Sequence, residues 1–532
     1  MKLTRDGLRD LEGWEKAGVA LPDYDLEKIT EKAATEPRWA HFGIGNIFRI
    51  FIGSIADDLL DDGHMYTGLS CVETFDEEIV DRVFRPYDNL VLSVILRNDG
   101  TQDRKVFGCF AEALKASEDR ERLIEIFRSE SLELVSFTIT EKGYALRDAS
   151  GAYLPSVRLD LSEGPDKART AIAIVAAMLL ERYKAGGYPL ALVSMDNCSH
   201  NGERLRDAVL EVAGEWVKSG FAGAEYLEWL SDEARVAFPW TMIDKITPRP
   251  EPQVQQALEQ DGIEDMDIVV TAKKTYIAPF ANAEGPQYLV IEDSFPNGRP
   301  PFELSGVYMA DRETVRKSER MKVTACLNPI HTALAPYGCV LGFEYFADEM
   351  KDPQLGRLAA KVGLDEGMEF VEDPGILSPH SFIVECLYER FPNPYLGDTP
   401  QRIAVDTSQM VGIRFGETIK ACVRKYGSAE KLQGIALAIA GWLRYLQAVD
   451  DNGQPFELSP DPMNEELQAQ IRGASGSAES VHQALSPILS NASIFGCDLY
   501  EAGLGSVIEE MYWQECAGPG SVRQTLIRYL GE

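Results

Sequence analysis

At 532 residues, 45% hydrophobic and 26% charged, the chain has the make-up of a soluble globular protein with room for two to four domains. Its 52 basic and 85 acidic residues give a formal charge of −33, which argues against a nucleic-acid partner because such a partner needs a basic face. Nine scattered cysteines without a CxxC pair point to a reducing compartment rather than to a disulfide frame or a zinc clip. The opening MKLTRDGLRDLEGWEK lacks the apolar stretch of a signal peptide, and AIAIVAAMLL (171–180) is about half the length that spans a bilayer. A cytoplasmic protein without a membrane partner is expected.

In chain order, residues 1–36 read as a polar, helical lead-in. RWAHFGIGN (38–46) is a buried strand running into glycines, followed by a helical stretch, and YTGLSCVE (66–73) is a second strand ending in an acid. Further strands are expected at 89–97, 132–140 and 188–196, with helices at 105–128 and 166–185 between them. This alternation implies a mostly parallel sheet covered on both faces. DIVVTAKKTYIAPF and PQYLVIEDSF look like added strands extending the same sheet. From residue 303 the patterns are helical, at 311–327, 329–350, 353–363, 379–390, 401–425, 429–449 and 497–530. The expected organisation is therefore an α/β domain over 37–302, then an all-α domain over 303–532, with a mobile loop at 472–480.

FGIGNIFR (42–49) stands where a dinucleotide site needs it, between a buried strand and a helix. Gly43 permits the tight turn, and Gly45 lets the backbone approach a pyrophosphate at a helix N-terminus. Phe48 takes the place of the third glycine of GxGxxG. Glu73, at the end of the second strand, is where an acid would bind a ribose diol and repel a 2′-phosphate, favouring NAD over NADP. The bland alternative is that Glu73 caps the next turn.

SMDNCSHNG (194–202) gathers Asp196, Asn197, His200 and Asn201 at the C-terminal end of a buried strand, the edge where open α/β sheets bind ligands. Asp196 and His200 suit a metal, but six histidines without HExxH give that reading little support. MKVTACLNPIHTALA (321–335) holds Lys322, Asn328 and His331. In an unbroken helix, at about 100° per residue, Lys322 and Asn328 stand roughly 120° apart and Lys322 and His331 on opposite sides. Convergence on one substrate therefore requires a break or bulge, for which Pro329 is a candidate. Taken singly, Asn328 before Pro329 is also a good N-cap, Lys322 a surface lysine and His331 a core histidine.

HFGIGNIFR, TEKGY (140–144), SMDNCSHNG, MIDKITP (242–248), VIEDSFPNGRPPFE (290–303) and MKVTACLNPIHTALA occur in the order shown by the polyol-specific long-chain dehydrogenase/reductases, the mannitol dehydrogenase family. The CLNPIHTALA signature resembles the fructuronate reductase (mannonate oxidoreductase) branch. The resemblance implies an N-terminal Rossmann-type NAD-binding domain with extra strands and a mainly helical C-terminal domain, working without metal. It gives Lys322 the role of acid–base, Asn201 and Asn328 that of holding the substrate oxygen, and His331 that of orienting substrate. Asp244 and Arg402 resemble substrate contacts; Asn46, Thr140 and Asn197 join Gly43, Gly45 and Glu73 on the cofactor side.

Two departures from the family pattern matter. One extra residue stands between the lysine and the asparagine, and Met410 occupies a position that is often lysine, with Arg414 the nearest replacement. The implied activity is NAD-dependent interconversion of D-fructuronate and D-mannonate, for whose carboxylate Arg402, Arg414 and Arg299 are available. Mannitol/fructose and tagaturonate/altronate are the enzyme alternatives. A catalytically silent NAD-binding scaffold is the reading from another class, and a monomer or homodimer is expected.

Overall fold

The computed structural model describes residues 1–472, 474 and 477–532 and divides into two compact units, Met1–Arg316 and Lys317–Glu532. The first is built on a six-stranded sheet of β1 (Trp39–Phe42), β2 (Leu69–Glu73), β3 (Phe110–Lys115), β4 (Leu134–Phe137), β5 (Leu190–Ser194) and β6 (Val236–Ala237). The order β3-β2-β1-β4-β5-β6, parallel at every step, is that of the Rossmann sheet. Alternate residues of its strands enter two separate apolar clusters. Trp39, Cys71, Leu134 and Val193 join one; Ala40, Val72, Val135 and Leu192 join the other. Both faces are covered, so β1, β2, β4 and β5 are buried at every position.

The added strands do not extend this sheet. Residues 91–96 and 102–107 form an antiparallel pair in a separate four-stranded sheet, which Val19–Ala20 and Phe280–Glu284 complete. Thr241–Asp244, Tyr288–Glu292 and Tyr308–Ala310 form a third sheet. The helix expected over 105–128 is likewise corrected: 102–107 and β3 occupy its first part, and only Arg120–Arg128 is helical. The segment FAEALK is made largely of good helix formers, but pairing with β2 in a buried sheet overrides that preference. By contrast, Ala171–Lys184 is helical as expected, and apolar on all sides because it is buried on nearly all sides.

β1 runs into Gly43, whose φ of +90° and whose missing Cβ, which would lie 2.2 Å from the Thr138 carbonyl oxygen, exclude any other residue. A five-residue π-turn, Phe48–Ile52, leads into α1 (Gly53–Asp61). Beneath this loop a line of buried polar groups connects β1 to β4. Trp39 Nε1 donates to Ser136 Oγ at 2.7 Å, and Ser136 Oγ lies 2.6 Å from His41 Nδ1. His41 Nε2 is 2.9 Å from Thr138 Oγ1, which donates to the Gly43 carbonyl at 2.6 Å. All four distances are satisfied by one assignment, a neutral His41 protonated at Nε2. Farther along, α2 (Asn201–Lys218) lays Leu205, Val209, Val212 and Trp216 on the sheet at helical spacing.

The described residues of the second unit contain helices and no strand pairing beyond one isolated bridge. α3 (Arg312–Met321) crosses the boundary between the units, then a π-turn at Lys322–Cys326 precedes α4 (Asn328–Leu341). The helix expected over 329–350 stops at Leu341 because Gly342 turns left-handed at φ +79°, and it resumes at Phe346–Lys351. The 401–425 stretch breaks into Pro400–Ile403, α5 (Thr407–Arg414) and Gly416–Tyr426. α4 packs against α6 (Gln433–Tyr445), where a Cβ on Gly441 would meet the Tyr337 ring at 2.3 Å. Tyr337 Oη lies 2.8 Å from the Leu437 carbonyl oxygen and 2.6 Å from Glu515 Oε1, on α7 (Gly505–Glu515). The loop expected at 472–480 falls in part on 473, 475 and 476, outside the described residues; Ser477 caps a helix beginning at Ala478.

Burial holds His41 neutral, with its pKa pushed down from 6.5 to about 3. The unfolded chain therefore binds the extra proton across that window, and stability should fall as pH drops from about 6.5, by up to about 1.4 kcal/mol per pH unit from this residue. Urea unfolding between pH 7 and 4 should show this slope, and a His41→Gln variant should lose it.

Candidate active site

The nucleotide cradle of the first unit is built from β1, β2 and the turns after them. Around Gly45 no atom lies within 4 Å of where a Cβ would stand, so the backbone is open to close approach there. The third glycine of the fingerprint allows helix and strand to pack closely. Its replacement, Phe48, stacks on His41 with ring centres 4.0 Å apart, and the π-turn begins at that residue. These residues fit a dinucleotide diphosphate.

Glu73 is 5% exposed and does what the bland reading supposed. Its Oε1 accepts from the amides of Thr74, Phe75 and Asp76 at 3.0, 2.8 and 3.2 Å, and its Oε2 accepts from Ile44 N at 3.1 Å. The carboxylate thus ties its own turn to the glycine loop, leaving acceptor capacity for a ribose hydroxyl mainly on Oε2. Sequence reasoning passed over Arg49, which is fully buried. It donates to Ala278 O and Asn46 Oδ1, both at 2.6 Å, and desolvation lowers its pKa to about 9. Its signal was a charged residue inside an otherwise apolar run, IFRIFIG.

At the ends of β4 and β5, Asp196 is a structural link. It accepts from Ile139 N, Thr140 N and Tyr144 Oη at 3.0, 2.8 and 2.5 Å, and burial raises its pKa. The bond fixes Thr140 at φ +64°, an uncommon conformation for a β-branched residue. Thr140 also lines an open cleft of about 850 Å³ with Tyr144, Arg147, Arg204 and Glu211. Arg147 and Arg204 are neutralised there, by Glu211 and Glu141 at 2.7 and 2.6 Å. His200 stacks on Trp240, with ring centres 4.5 Å apart.

The role expected of Asn201 is corrected by its surroundings. It is 1% exposed, and its Nδ2 donates to Asp196 O, Thr241 O and Thr241 Oγ1 at 2.9, 3.1 and 2.8 Å. Its Oδ1 accepts from Gly202 N and Thr241 N at 2.8 and 3.0 Å. Both amide hydrogens are consumed, so none remains for a substrate oxygen. Asn197, by contrast, is exposed at the end of β5. Asp244 is buried at the end of its strand.

In the second unit the helix does break within the lysine–asparagine–histidine segment, by the π-turn rather than at the proline. Leu327 N reaches back five residues to the Lys322 carbonyl at 3.1 Å, and Leu327 itself leaves helical geometry at φ −126°, ψ −64°. Pro329 then falls in the first turn of α4, where its missing N–H costs nothing. Asn328 is not the N-cap, and its buried Oδ1 has no hydrogen-bond partner among the described residues. Lys322 is 2% exposed, far from the surface lysine of the bland reading. The His331 ring lies 4.9 Å from that of Phe346 and 4.6 Å from that of Phe391, neither of them foreseeable from local sequence.

The three arginines considered for a carboxylate differ sharply. Arg299 is paired with Asp293 and Glu303 at 2.8 and 2.7 Å, and Arg402 is 65% exposed and paired with Asp398. Arg414, on α5 one turn beyond Met410, donates to Thr332 Oγ1 at 2.6 Å and has no carboxylate partner among the described residues. Desolvation alone lowers its pKa to about 10. Thr332 follows His331, and α5 packs on both α4 and the π-turn.

Family models agree with this architecture. The mannitol dehydrogenase Rossmann domain matches residues 37–303 and the mannitol dehydrogenase C-terminal domain matches residues 314–514. The chain is 49% identical to the D-mannonate oxidoreductase of Thermotoga maritima, over all of this chain and 99% of that one. It is 30% identical to the mannitol 2-dehydrogenase of Aspergillus fumigatus, over 94% and 93% of the two chains. Among solved structures, Pseudomonas fluorescens mannitol 2-dehydrogenase in ternary complex with NAD and D-mannitol superposes with a TM-score of 0.73 at 26% identity, covering both chains completely. A substrate-free D-sorbitol dehydrogenase gives a TM-score of 0.76 at 25% identity, over 97% and 96% of the two chains. No described helix is long and apolar enough to cross a membrane. The chain belongs to the mannitol dehydrogenase family.

Proposed function

We propose that the chain is an NAD-dependent oxidoreductase that interconverts D-fructuronate and D-mannonate. The relative named D-mannonate oxidoreductase, aligned end to end at 49% identity, supports the substrate class. The observation that carries the choice of an acid over a polyol is Arg414, a half-buried guanidinium without a carboxylate partner among the described residues. Burying an unpaired charge is costly, and a substrate carboxylate would offset that cost, whereas mannitol or fructose has none to offer.

Bound NAD supplies the hydride acceptor or donor. In the reducing direction, negative charge grows on the substrate oxygen, Lys322 Nζ gives it a proton, and the Asn328 amide donates to it at no cost in charge. In the oxidising direction the lysine takes that proton back. Ring contacts with Phe346 and Phe391 fix the His331 imidazole, which orients the substrate hydroxyl. Asp244 and Arg402 serve as further substrate contacts. In the first unit Gly43, Gly45, Asn46, Glu73, Thr140 and Asn197 hold the cofactor.

Lys322→Ala should lower turnover by about 10²–10⁴ while NADH still binds, read by steady-state kinetics and NADH fluorescence; equal loss of both would mark a structural role. Arg414→Ala should raise KM for fructuronate about tenfold or more and leave activity on fructose unchanged; an equal effect on both would place carboxylate recognition elsewhere. Asn201→Ala, which orphans several buried groups at about 1–3 kcal/mol each, should lower Tm markedly.

A further inference from the structure

Residues 269–277 have no place in the six-stranded sheet. Val269–Val270 and Tyr276–Ile277 pair as a two-stranded antiparallel ribbon, with Lys274 at φ +69° in its turn. Such a ribbon is marginal alone, so its attachments decide its position. Thr271 Oγ1 donates to Asp76 Oδ2 at 2.6 Å, both side chains being buried, and Ala272 N donates to Glu78 Oε2 at 3.0 Å. Lys273 Nζ donates to the Phe75 carbonyl and stands 4.4 Å from the centre of the Phe75 ring. At the other end, Asn46 Nδ2 donates to Tyr276 O at 3.4 Å and Arg49 Nη1 to Ala278 O at 2.6 Å. The ribbon is thus stitched both to the turn after Glu73 and to the glycine loop, the two elements that meet the adenosine half of a dinucleotide.

Two groups on this ribbon and turn bear on what the turn can bind. Phe75 is 67% exposed, although its amide is fixed to Glu73 Oε1 at 2.8 Å, so a rigidly mounted aromatic ring stands in water. Lys273 places a full positive charge on the same turn. There the Glu73 carboxylate is already spread over four backbone amides, which weakens its power to repel a second anion.

We infer that the 269–277 ribbon is a clasp for the adenosine half of the cofactor, in which Phe75 stacks on the purine and Lys273 sets how far a 2′-phosphate is tolerated. The inference rests on the dinucleotide reading above. An exposed aromatic ring is a platform for any base, and the nearby ammonium reinforces the stack while offering the counter-charge that a 2′-phosphate requires. Glu73 and Lys273 oppose one another, and cofactor selectivity is their balance.

The test is fluorescence titration of NADH and NADPH into the substrate-free, full-length protein, as wild type, Phe75→Ala and Lys273→Glu. Both substitutions are at exposed positions, and circular dichroism checks the fold. Wild type should bind NADH, Phe75→Ala should weaken both cofactors about tenfold, and Lys273→Glu should weaken NADPH about tenfold more than it weakens NADH. NADH binding by wild type with both variants unchanged would overturn the clasp and leave the dinucleotide site standing. An NADPH affinity untouched by Lys273→Glu, or undetectable in wild type, would remove the role given to Lys273. Failure of wild type to bind either cofactor would overturn the dinucleotide reading and the clasp with it.

Discussion

A neutral histidine between two hydroxyls, buried where no water can correct it, sets the geometry of the first unit. Trp39, Ser136, His41, Thr138 and the Gly43 carbonyl form one directional chain of donors and acceptors, and only one tautomer satisfies all of it. The strands carrying these residues are buried on both faces, so any break in the chain strands a polar group at a cost of about 1–3 kcal/mol. The glycine loop inherits its position from this chain, because Thr138 holds the Gly43 carbonyl while Phe48 stacks on the same histidine. Asp196, Glu73 and Asn201 extend the pattern along the strand ends, each spending its side chain on backbone amides or carbonyls. The ligand edge of the sheet is rigid because these polar residues are structural first.

The second unit solves a different problem. A regular helix would hold Lys322, Asn328 and His331 on different faces, and the five-residue turn at Lys322–Cys326 with the non-helical Leu327 after it alters their register. Pro336, inside α4, cannot donate to the Thr332 carbonyl, and the hydroxyl of that same threonine accepts from Arg414. An unneutralised guanidinium beside such a segment is destabilising in isolation. Its persistence is understandable if a negatively charged ligand completes the site, an instance of stability given up locally for function.

The sheet and its helical partner unit were legible because long buried strands, the glycine turn and helical periodicity are local signals. The break after Lys322 was legible too, from the incompatibility of the three residues with a single helix, although its form was not: a π-turn leaves no mark that a proline does. β3 was misread because Ala, Leu and Lys favour helix until a neighbouring strand claims them. Asn201 was misjudged for a related reason. Nothing local marks the Asn201 amide as consumed; Thr241, brought alongside from 40 residues away, takes it up. The contrast among Arg299, Arg402 and Arg414 was equally invisible, since it lies in their partners.

The close seat of Tyr337 on Gly441 has a bearing on how the protein fails. α4 is buried along nearly its whole length and bonded through Tyr337 to two other helices, so its amides have no route to solvent short of the unit opening as a whole. In hydrogen-exchange terms α4 is expected in the slowest class. Mild heat or denaturant therefore does not detune the site by degrees. Each molecule keeps an intact α4 or has lost the unit.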